Sequence, residues 1–202
     1  KWHLKSKPSW FDTYKVLEGQ GDYQDPVLRD PDSWQSGHSH AGFSADVITT
    51  EALNWLEAHD SSRPFFLMCH FKAPHEPFGY PERYANWLDG ADFPLPETID
   101  SVGPRQGGRT FAGQTLDILA QRFEQHPQRY QLKAFEGSGP PAMVRRLAYQ
   151  ELVRNFLRSV RAVDDNIGRL LDHLDHSGQL DNTLIIYTTD QGYFLGEHGF
   201  FD

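Results

Sequence analysis

The sequence predicts an α/β fold with a parallel or mixed sheet, and three stretches carry that prediction. Phe65 to Phe71 is a continuous apolar run with an aromatic bias, the pattern of a strand buried on both faces. Leu147, Val153, Phe156, Leu157, Val160, Val163, Ile167, Leu170, Leu171 and Leu174 fall on one stripe of a long amphipathic helix. Thr183 to Thr189 is a β-branched run that reads as a second buried strand. A strand, a helix and a second strand of this kind imply helices laid on a sheet.

Taken in order, residues 1–40 are rich in Trp, Gly, Pro, Asp and Ser, with turn signals at Asp25-Pro26 and Asp30-Pro31-Asp32. Trp10, Phe11, Tyr14 and Tyr23 give this segment aromatic surface to pack, so it reads as structured loop. From Ser44 to His59, apolar positions at three-to-four spacing predict a helix with Ser44 as its N-cap. Pro64 resets the chain before the first strand, which ends in the loop Lys72-Ala73-Pro74-His75-Glu76-Pro77. Residues 89–141 are rich in Gly and Pro and weakly periodic, apart from a short helix around Thr115–Phe123, and read as an excursion over one face. Gly178 terminates the long helix, and Asp181-Asn182 turn into the second strand.

The chain has 202 residues and a formal net charge of −9, enough for one large core. An acidic total without a Lys/Arg block argues against nucleic acid or an anionic membrane as the main partner. The total hides a split: residues 105–169 carry eleven basic and six acidic side chains, while 1–104 is net −8 and 170–202 net −6. An anion site must therefore be built locally. No apolar stretch approaches the ~20 residues that span a bilayer. The single Cys69 leaves the compartment open. Lys1 and Asp202 read as cut ends, Asp202 falling within a glycine-rich run.

Ligands of open α/β sheets gather beyond the carboxyl ends of the strands. Here one such end delivers Lys72 and His75, and the other delivers Asp190 and Gln191, then Glu197 and His198. A carboxylate beside an amide oxygen offers hard donors suited to Ca²⁺ or Mg²⁺. Asp190 equally fits a cap for a following turn. Lys1 and His3, two apart on an extended segment, would face one way and supply an ammonium and an imidazole, or simply form a surface terminus. Such a histidine can give a proton to a leaving oxygen near neutral pH. Cys69 reads as a buried structural thiol, with His70 on the opposite face. His173 and His176 sit where a helix C-terminus favours positive charge. Trp34, Tyr80 and Trp87 offer rings for stacking on sugars or for packing.

Three motifs then occur in one order: Lys1-Trp2-His3-Leu4, Lys72-Ala73-Pro74-His75-Glu76-Pro77, and Thr189-Asp190-Gln191-Gly192-Tyr193-Phe194-Leu195-Gly196-Glu197-His198-Gly199. Together they resemble the formylglycine-dependent sulfatases. Ser159 to Gly168 resembles the helix that precedes the third motif in that family. The resemblance implies an alkaline phosphatase-like sandwich, with a mixed, largely parallel sheet flanked by helices. It implies hydrolysis of a sulfate ester on a sulfated carbohydrate, a glycosaminoglycan or mucin-type glycan. Asp190 and Gln191 would then be metal ligands, for Ca²⁺ rather than Mg²⁺. Lys1, His3 and His75 would bind the sulfate or assist the leaving group, with Lys72 and His198 binding substrate. A periplasmic, secreted or lysosomal setting is implied as well. Trp10-Phe11-Asp12 and Gly19-Gln20-Gly21 are similar to the subgroup acting on sulfated sugars, N-acetylglucosamine-6-sulfate among them.

Several family features are not in this sequence: the Cys/Ser-x-Pro-x-Arg motif whose first residue becomes formylglycine, the two aspartates that complete the metal site, and the lysine after Glu-His-Gly. Residues 1–202 are thus expected to be an internal part of a sulfatase catalytic domain, inactive alone, with formylglycine in an upstream segment. Two other readings stay open. One is a phosphate or phosphonate ester hydrolase of the same superfamily, the other a non-catalytic protein that binds sulfated glycans.

Overall fold

A computed structural model describes residues 2–101 and 113–202 of the protein, which divide into two compact units. Among the described residues, the first comprises 2–75, 80–82 and 159–184, and the second 76–79, 83–101, 113–158 and 185–202.

In the first unit, strands β1 (Val16–Leu17), β2 (Val27–Arg29) and β3 (His38–Ser39) form an antiparallel sheet in the order β1-β2-β3. Leu17 pairs with Leu28, and Leu28 with His38. Leu17 and Leu28 are buried against Val47 of helix α1 (Ser44–Ala58). Gly37 has φ +65°, and a Cβ there would lie 2.4 Å from Val27, so the turn before β3 needs glycine. The expected helix is present, but Ser44 is not its cap. Phe43 holds the cap position, and its phenyl ring has no oxygen to accept a capping bond; the Ser44 amide, inside the first turn, donates instead to the Tyr23 carbonyl at 2.7 Å.

The second unit is built on helix α2 (Leu116–Gln125), which Thr115 caps by accepting from the Ile118 amide at 3.3 Å. Its core gathers Phe78, Ile99, Leu116, Leu119, Phe123, Tyr130, Leu152 and Phe201.

Helix α3 (Pro141–His176) gives its first half to the second unit and its last part to the first. Gly178, at φ +69°, ends it as expected, with the Gln179 amide returning to the Leu174 carbonyl at 2.8 Å. His176 Nδ1 lies 2.6 Å from the Asp172 carbonyl, in keeping with a histidine at this terminus. The buried line of α3 differs from the expected stripe. Ala148, Leu152, Asn155, Ser159, Ala162 and Asn166 are fully buried, whereas most of the apolar stripe is half-buried. The two asparagines on that line have partners for their amide N–H groups: Asn155 donates to the Tyr130 carbonyl at 2.8 Å, and Asn166 to the Asp46 carboxylate and the Ala162 carbonyl, each at 2.7 Å.

The two runs expected as buried strands require correction. Neither is a strand among the described residues, and both expose large apolar side chains: Phe66 is 77% exposed and Leu184 87%. A strand is defined by its ladder, and no described segment supplies one to either run. The first run nevertheless alternates, with Phe65, Leu67, Cys69 and Phe71 partly covered and Phe66, Met68 and His70 exposed, so Cys69 and His70 do fall on opposite sides. Among the described residues no helix is long and apolar enough to cross a membrane.

Partial burial pushes the Cys69 thiol from its ordinary 9.0 up to about 11, which fits a structural thiol. The neutral form is favoured in the folded protein, so this contribution to stability is complete below pH 9 and is lost as the pH rises through about 11. Alkylation of Cys69 by iodoacetamide is expected to be about a hundredfold slower in the native protein than in the unfolded chain at pH 8, from the thiolate fractions alone. Equal rates before and after denaturation would contradict this.

Candidate active site

Lys1 lies outside the described residues. Of the other expected site residues, His3, Lys72 and His75 belong to the first unit and Asp190, Gln191 and His198 to the second.

In the first unit the Trp2 amide donates to the Leu17 carbonyl at 2.6 Å, and the Gly19 amide returns to the Trp2 carbonyl at 3.0 Å. This bridge sets the backbone at Trp2, and His3 follows it with an exposed side chain. The segment after β1 also receives the proline-rich loop. Lys72 is only 6% exposed, and its ammonium donates to the Gln20 carbonyl at 3.0 Å while lying 4.8 Å from the centre of the Tyr23 ring. The Tyr23 hydroxyl donates to the His75 carbonyl at 2.6 Å, and the His75 amide to the Lys72 carbonyl at 3.1 Å. His75 thus has its backbone held at both ends by this unit. Lys72 brings a cation into low-dielectric surroundings, where it acts more strongly than in water.

The second unit holds the glycine-rich loop. The Thr189 hydroxyl donates to the Gln191 carbonyl at 2.6 Å and accepts from the Gln191 amide at 3.3 Å, folding the backbone locally around Asp190. Asp190 and Gln191 are both exposed. Tyr193 anchors the following residues: its ring meets Phe78 and Phe156 edge-on, with centroids 5.4 and 5.8 Å apart, and its hydroxyl accepts from the Glu76 amide at 3.1 Å. Burial pushes its phenol up to about 12, so it stays protonated near neutral pH.

Glu76 is itself clamped. Arg122 Nη1 donates to both of its carboxylate oxygens, at 3.0 and 2.9 Å, and the buried Tyr130 hydroxyl donates to one of them. Arg122 Nη2 also donates to the Gly113 carbonyl at 2.9 Å. Burial, then the Glu76 bond, raises the Tyr130 phenol well above its usual range. Replacing Tyr130 with Phe is expected to cost about 1–3 kcal/mol in chemical denaturation, since a carboxylate loses one of its donors. A denaturation midpoint unchanged from the parent would remove Tyr130 from this network.

Asp190 and Gln191 fit a hard cation by donor type, a carboxylate beside an amide oxygen on one short turn. Among the described residues no group of three or more His, Cys, Asp or Glu side chains gathers into a metal cluster. A calcium ion takes about 6–8 oxygens, so these two side chains alone would not complete a shell.

Comparison with known proteins decides the family. The Sulfatase family model matches residues 5–201. The N-acetylglucosamine-6-O-sulfatase of Bacteroides thetaiotaomicron is 34% identical over 100% of this chain and 42% of its own length. The chain belongs to the sulfatase family. Human iduronate 2-sulfatase is 30% identical over 75% of the chain and 26% of its own length. The solved structure of BT4656 in complex with its substrate D-glucosamine-2-N,6-O-disulfate superposes with a TM-score of 0.81 at 32% identity. It is matched by 100% of this chain, which covers 48% of it. This sulfatase chain thus spans less than half the length of those relatives. The α/β fold class implied by the motifs holds, because the superposition extends over the whole chain.

Sequence reasoning missed the residues that support the sulfatase motifs. Tyr193 and Glu76 lie inside quoted motifs, where a tyrosine after glycine and a carboxylate between histidine and proline were the available signals. Arg122 and Tyr130 come from a weakly patterned region and gave none. The suggested stacking rings also divide: Tyr80 is buried, Trp34 packs edge-on against Tyr14, and Trp87 is partly exposed beside Tyr84.

Proposed function

We propose that the full-length protein is a sulfuric ester hydrolase that removes the 6-O-sulfate from a glucosamine-type sugar of a sulfated glycan. The observation that carries this reading is the 34% identity to an N-acetylglucosamine-6-O-sulfatase along the entire chain. Residues 1–202 would form an internal part of the catalytic domain, in a periplasmic, secreted or lysosomal enzyme. The formylglycine nucleophile is assigned to a segment outside this sequence.

Hydrolysis consumes one water and yields a sugar hydroxyl, sulfate and a proton. The barrier falls when charge on the sulfate oxygens is neutralised and the departing alkoxide receives a proton. Asp190 and Gln191 would hold Ca²⁺, which when bound supplies positive charge to those oxygens. Lys1 and Lys72 add fixed positive charge. His75 gives the leaving oxygen its proton, while His3 and His198 bind the sulfate and the sugar that carries it. Orientation matters as much as charge, because a proton transfer needs the donor within hydrogen-bond reach. The hydrogen bonds at the His75 backbone support this role, because they fix the point from which its imidazole extends.

The test is sulfate release by the full-length protein, followed by ion chromatography, from glucosamine carrying sulfate at O6, at N2 or at both positions. Release from O6 alone is expected. Release from N2 alone would move the specificity elsewhere.

A further inference from the structure

His198 is the expected substrate-binding residue with the most constrained backbone. It has φ +54°, and Leu195, Gly196 and Gly199 in the same loop have φ of +49°, +97° and +75°. Left-handed backbone at two non-glycine residues persists only where neighbours hold it. Two residues far away in the sequence do so, both within the second unit.

The first is Tyr149 on α3. Its ring closes on Gly196 so tightly that a Cβ there would lie 2.6 Å from Cδ2, and its hydroxyl donates to the Pro94 carbonyl at 2.7 Å. The second is Thr98, one hundred residues before His198. Its hydroxyl donates to the Glu197 carboxylate and accepts from the His198 amide at 2.9 Å. One oxygen therefore engages both residues of the Glu197-His198 pair. Thr98 is in turn fixed by its neighbours: the Ile99 amide donates to the Pro96 carbonyl at 3.1 Å, the Ser101 amide to the Thr98 carbonyl at 2.9 Å, and the Ile99 side chain is buried in the core.

We propose that Thr98 is a positioning residue for the reaction, acting through His198 by holding its amide in the left-handed conformation. The inference rests on the assignment of His198 to substrate binding. A residue that only binds substrate affects ground and transition states alike, so its loss raises KM with little change in kcat. Thr98→Val keeps the shape of the side chain and removes both hydrogen bonds, and Thr98→Ser keeps the hydroxyl.

The experiment is a double-mutant cycle in the full-length protein, using a 6-O-sulfated glucosamine as substrate and circular dichroism to verify folding. Thr98→Val is expected to raise KM about tenfold, the effect of one lost charge-linked contact. Thr98→Ser is expected to stay near the parent. In a His198→Ala background, Thr98→Val should add nothing, because residues acting as one unit are not additive. Thr98→Ala removes the hydroxyl without adding bulk and carries the same expectation should the valine disturb folding. Parental KM in Thr98→Val with an impaired His198→Ala would overturn the positioning role alone. Parental KM in His198→Ala would overturn the assignment of His198 on which it rests. A full Thr98→Val effect that persists in the His198→Ala background would show that Thr98 acts elsewhere, and would also overturn the proposal.

Discussion

His75→Ala in the full-length protein is expected to lower kcat on a 6-O-sulfated glucosamine by about 10²–10⁴-fold, the range for loss of a general acid. The reason is local. Tyr23 donates to the His75 carbonyl, the His75 amide donates to Lys72, and Lys72 is buried against the segment after β1, so the imidazole starts from a fixed backbone. An alkoxide leaving group needs the proton, whereas a nitrophenolate leaves well without it. The loss on 4-nitrophenyl sulfate should therefore be smaller than on the sugar, and steady-state kinetics on both esters check this. Parental turnover on the sugar would remove His75 from the site.

The second large effect is at Asp190. Asp190→Ala in the full-length protein removes the one carboxylate that residues 1–202 contribute to the proposed metal shell and leaves Gln191 as their only donor to it. Ca²⁺ affinity is expected to fall on the order of 100-fold or more, since even the groups that merely orient metal ligands account for about 10–100-fold. Binding raises stability by mass action, so Ca²⁺ at about 100 times the parent's Kd should add roughly 2.7 kcal/mol to the parent and about 0.4 kcal/mol or less to the variant. Metal content by mass spectrometry and thermal unfolding with and without Ca²⁺ read this independently of activity. Because Asp190 is exposed, the fold should survive the change. Equal Ca²⁺ stabilisation of both proteins would overturn the metal assignment.

The helices were legible because each depends on its own sequence. The period of apolar residues located α3, its terminator was a glycine at the right place, and the short helix near Thr115 was visible despite weak patterning. The buried line of α3 was not legible. Periodicity counts hydrophobic side chains, whereas Asn155 and Asn166 are buried because Tyr130, Asp46 and Ala162 accept their hydrogen bonds. The runs at Phe65–Phe71 and Thr183–Thr189 have strand-like composition, but composition cannot provide a pairing partner, and both remain unpaired among the described residues.

The site shows the same division. The motifs spell out which groups can bind a cation, an anion or a proton, because those roles follow from side-chain chemistry. What holds the groups in place comes from distant, unpatterned positions: Tyr23 for His75, Thr98 and Tyr149 for the His198 loop, and Arg122 with Tyr130 for Glu76. No local signal marks such a partner, since each is recognised only when folding brings it close.

Ester class is the central claim, and one comparison tests it directly. The full-length protein is given the 6-O-sulfate and the 6-O-phosphate of the same N-acetylglucosamine, and released sulfate and phosphate are measured side by side. Sulfate release far exceeding phosphate release is the predicted result. Phosphate release equal to or faster than sulfate release, or release of neither anion, would contradict it.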